Sequence, residues 1–348
     1  VSETAQRSPA DVGGTGGEPA AGRSAGSMFK VVRAAFLRQR EASVFLIAVA
    51  LVIYFGLTVP DFFTKLNLAN ISYGTAAFAI IAIGEVFLLV CGEIDLSVGF
   101  VWALSPFLML FFTTYYGIPL ILSILLSLAC GTVIGFANGF ITVRLKVPSF
   151  ITTLGTSFIV YGIMLTTSHA QARTLPPRSL AIGKWLGGAT WAEFIWAVGL
   201  TVIFHIILTR TRWGLHTVAA GGNLLGASEA GINVGRVKIG NFMITSTLGA
   251  LAGILEAFRT STIDPSAGGY AVMFSAVSAA VIGGTALAGG SGTVAGGFLG
   301  MLVLAILADG FNLKGISSNP YQIILGIAIV GAMVANVYLT RLRRAGAT

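Results

Sequence analysis

Ten apolar stretches of about twenty residues each, the length that crosses a hydrocarbon core, account for most of this chain. They fall near residues 42–60, 70–91, 97–115, 118–142, 148–167, 190–209, 239–258, 270–287, 293–309 and 320–340. In lipid a backbone must satisfy its own N–H and C=O groups, so stretches of this length predict helices. The composition agrees: 55% of the 348 residues are hydrophobic and only 10% are charged, against about 25% charged in soluble domains. No water-facing surface can be built from that set. The expected fold class is all-α, a polytopic transmembrane helical bundle of about ten spans. The third and eighth segments are the weakest of the set, because glycine and polar residues interrupt them.

Ten crossings put both termini on one side. With the N-terminus cytoplasmic, the inner side collects Arg7, Arg23, Lys30, Arg33, Arg38, Arg40, Arg144, Lys146, Arg210, Arg212, Arg236, Lys238, Arg341, Arg343 and Arg344, 15 of the 21 basic residues. Lys65, Arg173, Arg178, Lys184, Arg259 and Lys314 remain outside. That bias is the signature of membrane orientation. It accounts for the net charge of +8 without a nucleic-acid partner. Residues 1–28, rich in Gly, Ala, Ser and Pro, read as a disordered tail. The first long apolar run begins near Val44, too late and too long for a signal peptide. Residues 29–41 read as a basic amphipathic helix on the inner membrane surface, residues 42–340 as the transmembrane domain, and residues 341–348 as a basic cytoplasmic tail.

Two connections are long. Residues 168–189, with Pro176-Pro177 and three bases, lie outside and suit a docking surface; residues 210–238 lie inside, framed by Arg210, Arg212, Arg236 and Lys238. Within the inner one, Asn223-Leu224-Leu225-Gly226-Ala227-Ser228-Glu229-Ala230-Gly231-Ile232 has Asn in N-cap position and Gly as a stop. That pattern predicts a short helix along the inner face, with a solvated loop as the alternative.

Glycines recur every four residues at Gly131, Gly135 and Gly139, and again at Gly292, Gly296 and Gly300. Such faces let helix backbones approach closely, so packing is the expected role. The run Gly283 to Gly292 predicts a tight inner-face turn or a broken helix rather than a nucleotide loop, since no strand precedes it. The polar residues are few and therefore informative. Gly92-Glu93-Ile94-Asp95-Leu96-Ser97-Val98-Gly99 places two carboxylates between two spans. An ionised residue in hydrocarbon costs about 2.5–3.5 kcal/mol on insertion scales, so this octet needs a loop, a wet cavity or partners. Glu85, Glu93, Asp95, Ser97 and Asn138 are the translocation-path candidates. Asp95 and Ser97 can also cap the third span. Glu256 is expected to reach the outer interface, and His205 to be hydrogen-bonded within its span.

No nucleophile–base set or metal-ligand spacing is present, and the three histidines fall in different compartments. Those patterns disfavour an enzyme and point to a transporter, with its driving force left open among ions, a solute gradient and an ATPase in another chain.

The octet resembles the Gly-Gly-Ile-Asp-Leu-Ser-Val-Gly signature of the membrane permease subunits of bacterial ATP-binding-cassette importers for ribose, xylose and related simple sugars. Ala137-Asn138-Gly139 followed by Val147 to Gly155, and Ala280 to Thr293, resemble that family's later signatures in order. The resemblance implies a permease moving a small sugar or related polyhydroxylated solute into the cytoplasm across the bacterial cytoplasmic (inner) membrane by alternating access. It implies a second permease chain (identical or not), a cytoplasmic ATPase that holds ATP and Mg while this chain holds no cofactor, and an extracytoplasmic substrate-binding protein docked near 168–189. In that family the segment matching 223–232 is the coupling helix that meets the ATPase. An ion-coupled carrier using Glu85, Glu93 and Asp95 is the alternative. Three departures stand out: Glu93 where the family usually has Gly, Met273-Phe274-Ser275 where it often has Glu-Leu-Asp, and Ser228 where a base is common.

Overall fold

The computed structural model describes residues 40–175 and 182–315, with six helical positions between 323 and 334. The expected N-terminal tail, nearly all of the basic helix at 29–41, most of the tenth span, the tail at 341–348 and Pro176-Pro177 lie outside the described residues. Nine of the expected segments are helices: α1 (Arg40–Thr58), α2 (Lys65–Val90), α3 (Val98–Thr114), α4 (Leu120–Arg144), α5 (Ser149–Ser168), α6 (Ala192–Arg210), α9 (Val234–Thr260), α10 (Tyr270–Ile282) and α11 (Val294–Leu313). Between α6 and α9 lie α7 (Arg212–Gly222) and α8 (Leu224–Glu229). Seven of these helices are long and apolar enough to cross a membrane. The third and eighth segments are the short ones, α3 with 17 residues and α10 with 13. At 1.5 Å per residue α10 covers about 20 Å, less than the hydrocarbon thickness. It stops at Ile282 because Gly283-Gly284 turn the chain, with φ 92° at Gly284.

α2 and α9 form the centre: 83% and 72% of their apolar windows are buried, against 17% for α1. α9 packs on α4, α3 and α2, while α11 joins α2 to α10 and α1. Neither central helix is amphipathic in the usual sense, because lipid is replaced on all sides by other helices. Polar side chains on α9 take the place of a sequence-visible seam. Thr245 Oγ1 donates to the Gly84 carbonyl at 2.9 Å, and Asn241 Nδ2 donates to the Phe87 carbonyl at 3.3 Å.

The two long connections are more structured than loops. In the connection 168–189, Arg173–Thr174 pairs antiparallel with Thr262–Ile263 and ties it to the α9–α10 connection. Lys184–Gly188 forms a single π-turn before α6. At this end Asp264 accepts from the hydroxyl and backbone N–H of Ser266, which hold its carboxyl below the ordinary range. The connection 210–238 holds two helices instead of one.

One expectation near the ends of spans is refined and one is corrected. The Glu256 carboxylate, partly exposed, pairs with Arg259, whose guanidinium also lies 3.3 Å from Glu193 and 4.8 Å from the Tyr73 ring centroid. A cation within one turn of the acid satisfies it locally. His205 Nδ1 is buried without a hydrogen-bond partner, so the span holds that ring by packing alone.

Candidate functional site

The octet is neither an exposed loop nor a wet one. α2 ends at Val90, Gly92 takes φ 79°, and the Glu93 N–H folds back to the Leu88 carbonyl at 2.9 Å. The chain then re-enters the bundle. Asp95 and Ser97 are fully buried. The Asp95 carboxylate accepts from the Ser97 N–H at 2.8 Å, the Ser97 hydroxyl at 2.6 Å and the Ser246 hydroxyl at 3.2 Å. Asn138 Nδ2 donates to Ser97 Oγ at 2.9 Å and approaches both Asp95 oxygens at 3.4 and 3.5 Å. Thr153 Oγ1 accepts the Leu96 N–H at 3.0 Å. Residues from α4, α5 and α9 thus converge on the start of α3. The capping expectation is corrected in detail: Ser97 occupies the N-cap but its side chain makes no cap bond, because Asp95 engages its hydroxyl.

Glu93 leaves this cluster and pairs with Lys238 on α9. The two side chains are 11% and 16% exposed, between a surface pair worth about 0–1 kcal/mol and a buried one whose breakage costs about 3–5 kcal/mol. Glu93→Gln or Lys238→Met is expected to cost about 1–3 kcal/mol in thermal stability. The double variant should lose less than the sum, as a double-mutant cycle will read directly.

Glu85 is wholly buried in α2 with its carboxylate facing the charge and backbone N–H of Asp95, and neither carboxylate oxygen reaches hydrogen-bonding geometry. Gly84 beside it lies against the α9 backbone at Thr245.

The expected glycine faces sit between helices. A Cβ on Gly131 would lie 2.8 Å from Ala250 Cβ, one on Gly139 would lie 2.8 Å from Ile239 Cα, and one on Gly135 would overlap the Phe242 carbonyl. All three belong to α4 and face α9. Gly296 and Gly300 face Gly283 and the Ala279 carbonyl on α10, and Gly292 lies against Thr285 and Val90.

The segment 223–232 forms α8, with Asn223 Oδ1 accepting the Gly226 N–H at 3.0 Å and Gly231 turning the chain at φ 79°. Leu224 and Leu225 are exposed, Gly226 is half-buried and Ala227 is buried; Ser228, Glu229 and Ala230 are exposed, and Ile232 is half-buried. Its neighbour α7 ends at Gly221-Gly222. There the backbone has no room for a side chain: a Cβ on Gly221 would overlap the Val90 carbonyl and sit 2.8 Å from Gly290 N. Gly290 N in turn donates to that Val90 carbonyl at 2.8 Å. The end of α7, the end of α2 and the α10–α11 turn therefore meet backbone to backbone.

Sequence reasoning did not single out Thr153, Trp213, Thr217, Asn241, Thr245 or Ser246. Trp213 Nε1 donates to Asn241 Oδ1 at 2.9 Å, and Asn241 Nδ2 donates to Thr217 Oγ1 at 3.2 Å. The available signal was a polar stripe at i and i+4 within an apolar span.

The described residues form a multi-span helical membrane protein with a buried polar junction and two further helices, α7 and α8, between α6 and α9. Residues 67–333 match the family described as branched-chain amino acid transport system / permease component, and the chain belongs to it. The chain is 40% identical over 317 residues to the xylose/arabinose import permease protein XylH of Sulfolobus acidocaldarius, covering 88% of this chain and 87% of that protein. It is 32% identical over 312 residues to the ribose import permease protein RbsC of Escherichia coli K12 (87% and 95%). It is 29% identical over 321 residues to the fructose import permease protein FrcC of Rhizobium meliloti (88% and 88%). No solved structure matches the chain. As a permease component it conducts transport rather than catalysis, and an ATPase and a solute-binding protein complete the system.

Proposed function

We propose that this chain is the membrane-spanning permease of an ATP-binding-cassette importer and carries a simple sugar inward by alternating access. The observation that carries this reading is similarity along almost the whole chain to permeases named for xylose/arabinose, ribose and fructose. An ion-coupled carrier has no such support. The permease works as a pair of chains around a central path, and the α7–α8 end faces the cytoplasm.

The segment Asn223 to Ile232 is the contact for the ATPase. Its geometry supports that role: α8 is a short capped helix presenting exposed Leu224 and Leu225. The adjoining α7 abuts Val90 and the α10–α11 turn through Gly221. A displacement of α8 would pass through that backbone contact to the ends of α2, α10 and α11, and through α9 and Lys238 to Glu93. Glu93 and Asp95 then act as ties between moving helices, and the connection near 168–189 serves as the docking surface for the binding protein.

The test is reconstitution with the cognate ATPase and binding protein in liposomes. Wild type should take up D-xylose, L-arabinose or D-ribose only with ATP and binding protein present. Ala227→Pro removes the N–H that bonds the Asn223 carbonyl at 2.9 Å and breaks α8 at a cost of about 3 kcal/mol. It should abolish uptake and leave ATPase activity unresponsive to the binding protein, while the chain still inserts. Uptake driven by an ion gradient without ATP would overturn the proposal.

A further inference from the structure

We propose that a cavity of about 470 Å³ between α2, α10 and α11 is the binding site for a neutral polyhydroxylated solute of monosaccharide size. The inference rests on the importer reading above and adds where the cargo sits. The volume falls within the roughly 300–1,000 Å³ of small-molecule sites.

The walls come from single helix faces. Asn70, Gly74 and Phe78 follow one another at i, i+4 and i+8 on α2, and Met301 to Asn312 contribute the facing stripe of α11. The lining is graded. Asn70, Asp309 and Asn312 cluster where α2 begins and α11 ends, Ser275 of α10 stands at the side, and Phe78, Met301 and Leu304 line the deeper part. Asp309 Oδ2 is buried and accepts no hydrogen bond, while the Asn67 side chain lies against the same carboxylate and leaves it only partly engaged. Asn70 and Asn312 are exposed at the rim. Amides and a carboxylate on a membrane helix are tolerated when they face a wet cavity or partners, so this cluster marks an aqueous recess.

The chemistry fits a sugar. A carboxylate with an unused lone pair and two amides accept and donate to neighbouring hydroxyls, which offer both functions. The C–H face of a sugar ring packs on an aromatic surface such as Phe78. An anionic solute would meet Asp309 with no base among the lining residues. The smaller cavity of about 200 Å³ beside Trp102 has both its acids already engaged, Glu256 by Arg259 and Asp264 by Ser266. None of Glu85, Glu93, Asp95, Ser97 or Asn138 lines the larger cavity.

The position also suits transport. α2, α10 and α11 are the helices whose opposite ends meet at Gly221 and Gly290. A shift entering there changes the walls of the cavity about one helix length away. Ser275, a small uncharged group at the side, becomes a determinant of which sugar fits.

The test uses the assembled importer in liposomes, with D-xylose, L-arabinose and D-ribose uptake as readouts. Asp309→Asn and Asn312→Leu should each lower uptake about tenfold or more, the effect of losing one strong polar contact. Ser275→Phe, which fills the cavity, should block uptake, and Ser275→Asp should change the ratio among the three sugars. Thermal stability of each purified variant separates misfolding from a lost contact, and exposed Asn312 is the variant least able to disturb folding. A wild-type assembly that transports none of the sugars would fault the importer reading. A wild-type assembly that transports, with stable Asn312→Leu and Ser275→Phe variants behaving identically, would overturn the site alone.

Discussion

Gly135→Leu is expected to leave little folded protein. Gly135 faces α9 so closely that even a Cβ would overlap the Phe242 carbonyl and lie 2.9 Å from Met243 Cα. These are backbone atoms of a central helix and cannot rotate away as a side-chain end would. Overpacking that side chains can absorb costs about 1–3 kcal/mol. Here α4 itself must move off α9, taking with it the Gly131 and Gly139 contacts and the Asn138 amide. The loss then approaches the whole stability of a typical domain, about 5–15 kcal/mol. Lipid supplies no hydrophobic drive to bring the two helices back together. Gly199→Leu is the matched control. A Cβ at Gly199 meets nothing within 4 Å, and Ile195 and Val202 on the same helix are exposed. The melting temperature of the detergent-purified chain, followed by size-exclusion chromatography, reads both. A Gly135→Leu protein that melts with wild type would show that α4 and α9 are not packed this way.

That prediction uses a contact whose existence, but not whose partner, is legible in the sequence. The four-residue spacing of Gly131, Gly135 and Gly139 marks a close-packing face, yet nothing in it names α9 rather than a second copy of the chain. Helix positions were readable because each span must bury its own backbone in lipid. The exceptions are physical as well. α7 is not legible in the sequence, since Arg212 to Gly222 carries no apolar run of membrane length and its identity as a helix depends on packing against α6 and α9. α10 ends at Ile282 rather than 287 because turn glycines outweigh the apolar content that follows. In the site, the octet announced itself by its carboxylates, whereas Thr153 and Ser246 are single hydroxyls of a kind common in membrane helices. Only three-dimensional proximity distinguishes them. Asn70, Ser275, Asp309 and Asn312 lie on three helices up to 242 positions apart, so no local pattern could have joined them.

Asp95→Ala is expected to destabilise the chain by about 2–5 kcal/mol and to abolish uptake. The carboxylate is the acceptor for the Ser97 N–H, the Ser97 hydroxyl and the Ser246 hydroxyl, all in a region closed to solvent. Each buried donor left without a partner costs about 1–3 kcal/mol. The total stays below the sum, because Asn138 Nδ2 keeps its bond to Ser97 Oγ and a serine hydroxyl in a helix can turn to its own backbone. Asp95→Asn retains an acceptor oxygen for Ser97 but sets a second amide against Asn138, so a smaller loss of about 1–2 kcal/mol is expected. The order wild type, Asp95→Asn, Asp95→Ala in melting temperature is the signature of a structural tie. A stable Asp95→Ala chain that fails to transport would instead place the carboxylate on the solute path, and one that melts and transports as wild type would remove both roles. The tie is the reading the geometry favours. Asp95 joins the start of α3 to α9 directly and to α4 through Asn138, two residues from the Glu93–Lys238 pair that leads toward the α7–α8 end. A carboxylate buried at the crossing of helices that must shift together is placed to keep them in register, and its loss should be felt first as lost stability and only then as lost transport.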